Sequence, residues 1–161
     1  MNAGIVGGGS WGSAFALALG RGGVRTKLWI REPEISSAAI RDRENRVFLP
    51  GFKFPAPVSF HHDLEEAVRD CEILFIAVPS QYCRKICARL RTALESGPAV
   101  VSLTKGIEKG TLMRMSEIMA EVLVPAGATK IGVLSGPSFA REVAEGHPTA
   151  LVLASSEHAW A

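Results

Sequence analysis

A chain of 161 residues carrying 18 basic and 16 acidic side chains, net charge +2, is the size of one domain and offers no basic face for a nucleic-acid backbone. With 47% hydrophobic residues it can bury a core, 21% charged residues argue against a disordered segment, and 7% aromatic residues are too few for a base-stacking platform. The longest strongly apolar run, residues 73–78, is only strand-sized, so neither a membrane nor a nucleic acid is an expected partner.

Met1-Asn2-Ala3 leads straight into apolar sequence without a charged leader, so no secretory signal is read there. A strand predicted over 3–6 runs into Gly7-Gly8-Gly9-Ser10-Trp11-Gly12, and a helix over 11–19 follows, rich in small residues. In this GxGxxG each fixed glycine has its own task. Gly7 permits the tight turn, Gly9 lets the backbone approach a pyrophosphate, and Gly12 lets the helix lie close on the sheet. The helix start at Ser10 and Trp11 then presents unpaired N–H donors and a positive dipole end to the phosphates.

The second strand, 26–31, ends Trp29-Ile30-Arg31-Glu32. At this place an acidic residue binds the ribose 2′-hydroxyl of NAD, whereas an arginine accommodates the 2′-phosphate of NADP. Arg31 tilts the selectivity toward NADP and Glu32 pulls back toward NAD; an ordinary solvated pair at the start of the helix opened by Pro33 is the competing reading. Residues 45–57, with three prolines and one glycine, form an ordered loop. After a strand over 58–60, Asp63 caps a helix with Glu66 at the reciprocal capping-box position. His61 and His62 are adjacent, cannot chelate together, and are expected in solvent.

The fourth strand, 73–78, ends Ala77-Val78-Pro79-Ser80. Ligands of open α/β sheets gather outside the carboxyl ends of strands, so Pro79 offers a backbone wall for a nicotinamide as well as a strand stop before a helix cap. The helix over 80–96 turns Cys83, Ile86, Cys87, Leu90 and Leu94 to one face and stops at Gly97-Pro98. Cys83 and Cys87 have metal-ligand spacing, but no histidine or carboxylate completes a set; they are expected as buried small hydrophobes, and no metal site is predicted.

A strand over 99–103 delivers Lys105-Gly106 to the same edge. An ammonium there can stabilise charge on a carbonyl oxygen or bind a phosphate; a lysine merely exposed at a strand end is the other reading. The next helix, over 111–123, turns Leu112, Met115, Ile118 and Val122 inward. Past a strand over 131–134, Gly136 and Ser138 sit where a short helix opens, with donors suited to an anionic or polyol ligand, though Ser138 also reads as a simple N-cap. Gly146-His147-Pro148 stops that helix before a strand over 149–153. Alternating strands and helices, several strands being apolar on both parities, give an α/β class: a Rossmann-type, doubly wound, mostly parallel sheet with helices on both faces.

The segments GGGSWG, LWIRE, NRVFLPG, AVPSQ, SLTKGIE and SGPSFAREVAEGHPTA, in this order, make the chain resemble the N-terminal domain of the bacterial NAD(P)-dependent glycerol-3-phosphate dehydrogenases from Gly4 to Ala154. The resemblance implies reversible hydride transfer between NAD(P)H and the C2 carbonyl of dihydroxyacetone phosphate, giving sn-glycerol 3-phosphate for phospholipid synthesis. It implies that NADP or NAD meets Ser10, Trp11, Arg31, Phe48, Lys105 and Ala140 beside the glycines and Pro79. Substrate would meet Lys105, Gly136 and Ser138, with Lys105 polarising it. It further implies that residues 1–161 are the dinucleotide-binding domain alone, that the proton-transferring lysine belongs to a helical C-terminal domain absent from the chain, and that the fragment binds coenzyme without turnover. The odd number of cysteines suits a reducing cytoplasm, and a homodimer of the full-length protein is among the assemblies allowed. Two other readings keep the glycine loop: another two-domain Rossmann dehydrogenase of the hydroxyacid type, and a non-catalytic nucleotide sensor.

Overall fold

Apolar residues on both parities place β1 (Asn2–Val6) and β4 (Ile73–Ile76) at the middle of a sheet, where Ala3, Ile5, Val6, Leu74 and Ile76 are fully buried. The computed structural model describes residues 1–94, 97–157 and 160. Around the central pair lie β2 (Arg25–Trp29), β3 (Val58–His61), β5 (Ala99–Ser102), β6 (Lys130–Ser135) and β7 (Val152–Ser155), in the order β3-β2-β1-β4-β5-β6-β7. The first six are parallel and β7 is antiparallel to β6.

Among the described residues six α-helices cover the sheet: α1 (Ser10–Arg21), α2 (Pro33–Asp42), α3 (Leu64–Val68), α4 (Ser80–Leu90), α5 (Met115–Leu123) and α6 (Ala140–Glu145). One core layer joins Cys83, Ile86, Cys87 and Leu90 of α4 to Ile118, Met119 and Leu123 of α5 over Leu74, Ile76 and Val100. The other joins Phe15 and Leu17 of α1 to Ile5, Leu28, Phe75, Val101 and Ala144. Both faces are therefore buried, as the doubly wound expectation requires. Because β1 hydrogen-bonds to β2 on one side and β4 on the other, the chain reverses its direction across the sheet between them, and a crevice opens at their carboxyl ends.

Several boundaries differ from the sequence expectation. Helix α4 ends at Leu90 and gives way to a turn over 91–93; Leu94 is still buried, while Ser96 lies outside the described residues. Helix α5 begins at Met115 and Leu112 is not inward: it is 71% exposed at φ +59°. Residues 107–114 instead fold back on themselves, with Ile107 bridged to Arg114 and Glu108 N donating to Met113 O at 2.9 Å. Strand β7 starts at Val152, paired with Ser135, because β6 ends before Gly136-Pro137 and proline has no N–H to continue a ladder. His61 is not in solvent; its side chain is 16% exposed, with Nε2 2.9 Å from Ser59 Oγ and Nδ1 3.3 Å from Glu66 Oε2. Asp63 Oδ1 caps α3 by accepting from Glu66 N at 2.8 Å, so Glu66 turns its carboxylate to His61.

Candidate functional site

The turn after β1 is built around missing Cβ atoms. Gly7 sits at φ +128°, and a Cβ there would lie 2.3 Å from Ala77 O; a Cβ on Gly12 would lie 1.9 Å from Gly7 O. Around Gly9 the situation reverses, for nothing stands within 4 Å of where its Cβ would be. Gly9 is also the N-cap of α1, so no side chain caps the helix, and its first turn holds no acidic residue. The orphan amides at Ser10 and beyond thus begin beside open space, the condition for close approach of an anion.

A fully buried loop residue, Asn45, holds this turn. Asn45 donates from Nδ2 to Gly8 O at 2.8 Å and to Ser13 Oγ at 2.9 Å, and Ser13 Oγ donates to Gly8 O at 3.2 Å. Its Oδ1 accepts from Phe48 N at 3.2 Å. One amide therefore fixes the glycine turn and sets Phe48 beside it; its only sequence signal was its place at the head of NRVFLPG.

A cleft of about 430 Å³ runs along the crevice and brings together Gly7, Gly9, Arg31, Phe48 and Pro79 of the predicted set. Arg31 lies at its rim, donating from Nε to Glu32 Oε1 at 2.9 Å. Ser10, Trp11, Gly12, Lys105 and Ala140 do not line this cleft. Ser10 and Trp11 form the adjoining first turn of α1, where Trp11 packs 6.0 Å from Phe15 and keeps its buried Nε1 without a hydrogen bond among the described residues. Ala140 opens α6, which packs on α1 and is tied to it by Arg21 Nη1 donating to Ala144 O at 2.6 Å.

The predicted substrate residues converge on one carbonyl. Lys105 Nζ donates to Gly136 O at 3.3 Å, and Ser138 Oγ donates to the same oxygen at 3.4 Å. Ser138 is not the N-cap; that position belongs to Phe139, so the hydroxyl turns back to Gly136. A wider groove of about 710 Å³ reaches Lys105, Arg114 and Ser135 on this flank.

The loop carrying Lys105 is pinned from α4. Thr104 Oγ1 donates to Ile76 O at 3.2 Å and Val78 O at 2.8 Å, joining the ends of β5 and β4. Gln81 Nε2 donates to Ile107 O at 3.3 Å, and Arg84 grips Glu108 Oε1 at 2.9 Å through Nε and Glu121 Oε1 at 2.7 Å through Nη1. Hydrogen bonds from Arg84, and after it Thr111, hold the Glu108 carboxyl below its ordinary range, while Glu108 and then Glu121 raise the Arg84 guanidinium. A carboxylate held low in the folded state adds stability above its unfolded value of about 4.3 and loses it as pH falls through the lowered one. Wild type should therefore melt higher than Glu108→Gln at neutral pH, and the difference should shrink as the pH falls below the unfolded value of about 4.3 and through the lowered one in a calorimetric pH series.

Cys83 and Cys87 lie with sulfurs 3.9 Å apart in the core, where the contact with Cys83 and burial push the Cys87 thiol up, so they behave as packing residues. Among the described residues no group of three or more His, Cys, Asp or Glu side chains could hold a metal ion, and no helix is long and apolar enough to cross a membrane.

Residues 2–161 match the family model described as NAD-dependent glycerol-3-phosphate dehydrogenase N-terminus. The chain is 43% identical over 154 residues to a glycerol-3-phosphate dehydrogenase [NAD(P)+] of Geobacter metallireducens, covering 96% of this chain and 46% of that protein. It is 44% identical over 164 residues to the protein of the same description from Nocardia farcinica, covering 99% and 48%. The crystal structure of glycerol-3-phosphate dehydrogenase from Coxiella burnetii superposes with a TM-score of 0.90 at 32% identity, over 99% of this chain and 48% of that one. The chain thus spans about half the length of the relatives it matches.

Proposed function

Since this chain belongs to the NAD-dependent glycerol-3-phosphate dehydrogenase family, we propose that it is the dinucleotide-binding part of an enzyme that reversibly reduces dihydroxyacetone phosphate to sn-glycerol 3-phosphate. The observation that carries this reading is the contrast within one turn: backbone too close for any Cβ at Gly7 and Gly12, and open space over Gly9 at an uncapped helix start. Such a turn fits the diphosphate of NAD or NADP, held by the amides at Ser10, Trp11 and Gly12 with Phe48 and Pro79 as walls. Arg31 tilts the choice toward NADP. When bound, the coenzyme supplies the hydride.

The chain's own residues do the rest of what this part contributes. The Lys105 ammonium, steered by Gly136 O, places positive charge where negative charge grows on the substrate carbonyl oxygen, and the Ser138 hydroxyl beside it meets the substrate. Ala140 and Trp11 complete the coenzyme side. The proton-transferring lysine and most phosphate contacts are assigned to a helical part of the full-length enzyme outside residues 1–161. A cytoplasmic location and a homodimer of the full-length enzyme complete the proposal.

Fluorescence titration of purified residues 1–161 with NADPH and NADH is expected to show saturable binding, while dihydroxyacetone phosphate reduction by the same sample stays at background. Saturation by neither coenzyme would overturn the coenzyme reading, and measurable turnover would overturn the division of labour. On the full-length protein, failure of dihydroxyacetone phosphate where another ketone succeeds would overturn the substrate.

A further inference from the structure

We infer that Lys85 and Arg89 on α4, acting with Arg31 across the cleft, form the site for a phosphate monoester on the adenosine ribose of the coenzyme. The inference rests on the dinucleotide reading and names the side chains, none of them in the glycine turn, that would separate NADPH from NADH.

On α4 the positions 82, 85, 86 and 89 recur at helical spacing and share one face, and all four line the 430 Å³ cleft that also holds the glycine turn and Arg31. Ile86 is buried and anchors that face, whereas Lys85 and Arg89 are exposed along it. The charge along the cleft is lopsided. Its lining contains three cations, Arg31, Lys85 and Arg89, against one carboxylate, Glu32, which Arg31 already holds. Among the described residues neither Lys85 nor Arg89 has a carboxylate within 4.0 Å. Two uncompensated cations on a coenzyme cleft are what a dianion requires and what an unmodified ribose hydroxyl does not.

Arg89 is also pre-ordered. Its guanidinium lies 5.6 Å from the centre of the Trp29 ring, and Trp29 is itself fixed by Nε1 donating to His62 O at 2.9 Å. A guanidinium stacked on an aromatic face keeps its edge donors for an anion, and less freedom is lost when it binds. Trp29 closes β2 and Arg31 follows two residues later, so the stack brings a helix cation to the strand end where the ribose is read.

The test is titration of the 161-residue chain with NADPH and NADH at low and moderate salt, for wild type and for the double variant Lys85→Gln, Arg89→Gln. Both side chains are exposed, and retained NADH affinity together with an unchanged melting temperature reports an intact fold. Wild type is expected to favour NADPH with the steeper salt dependence, and the double variant to lose NADPH affinity roughly 10- to 100-fold while NADH moves less than about threefold. Equal weakening of both coenzymes, or no change in either, overturns the monoester site and leaves the dinucleotide reading standing. Binding of neither coenzyme by wild type overturns the dinucleotide reading and this site with it.

Discussion

Gly12→Ala is expected to unfold the chain or to cost it about 3 kcal/mol or more, the largest stability effect of any single methyl group in the glycine turn. The added Cβ would meet Gly7 O at 1.9 Å, and neither partner can yield. Gly7 is held on the other side, where its own Cβ position is 2.3 Å from Ala77 O, and its N–H donates to Trp29 O at 3.3 Å. Helix α1 cannot lift away, because Phe15, Ala16 and Leu17 are locked in the core and Asn45 clamps Ser13 to Gly8. Denaturant unfolding followed by circular dichroism reads the loss as a lower midpoint at unchanged slope.

Gly9→Asp is expected to act in the opposite sense on stability and to abolish coenzyme binding. Gly9 already has the extended N-cap conformation, φ −69° and ψ −178°, and nothing stands within 4 Å of its Cβ position, so a side chain is accommodated. Aspartate is among the preferred N-caps; its carboxylate accepts from the orphan amides of α1 and meets the positive end of the helix dipole, a gain of about 0.5–1 kcal/mol. The same carboxylate occupies the donors that a diphosphate would use and repels it. Affinity for NADPH and NADH alike should fall by roughly 100-fold or more, while the melting temperature rises by a few degrees. A variant that is more stable yet still binds both coenzymes as wild type does would break the link between the open helix start and the ligand.

Much of the fold was legible because its signals are local. The short runs, several apolar on both parities, marked the strands, the Cys83, Ile86, Cys87 and Leu90 spacing marked α4, and the three glycines marked a turn whose geometry needs them. What stayed hidden depends on partners far along the chain. Asn45 looks like a loop asparagine until Gly8 is found above it, 37 residues away in sequence. Arg84 looks like the solvated side of an amphipathic helix until Glu108 and Glu121 close around it. Lys85 and Arg89 carry the same disguise, since only the folded chain brings them into one cleft with Arg31. Leu112 shows the reverse failure: its spacing continued the α5 pattern, but Glu117 accepts from Arg114 N at 2.8 Å and starts the helix later. The candidate site followed the same division, with its backbone features readable from glycines and its cation pairing set by topology.

The most direct test of the central claim is a proton–nitrogen correlation spectrum of the 161-residue chain titrated with NADPH. The amide signals of Ser10, Trp11 and Gly12 should show the largest shifts, saturating together with coenzyme fluorescence. If coenzyme saturates while those three amides stay in place and the shifts gather elsewhere, the diphosphate does not sit on the start of α1 and the account is wrong.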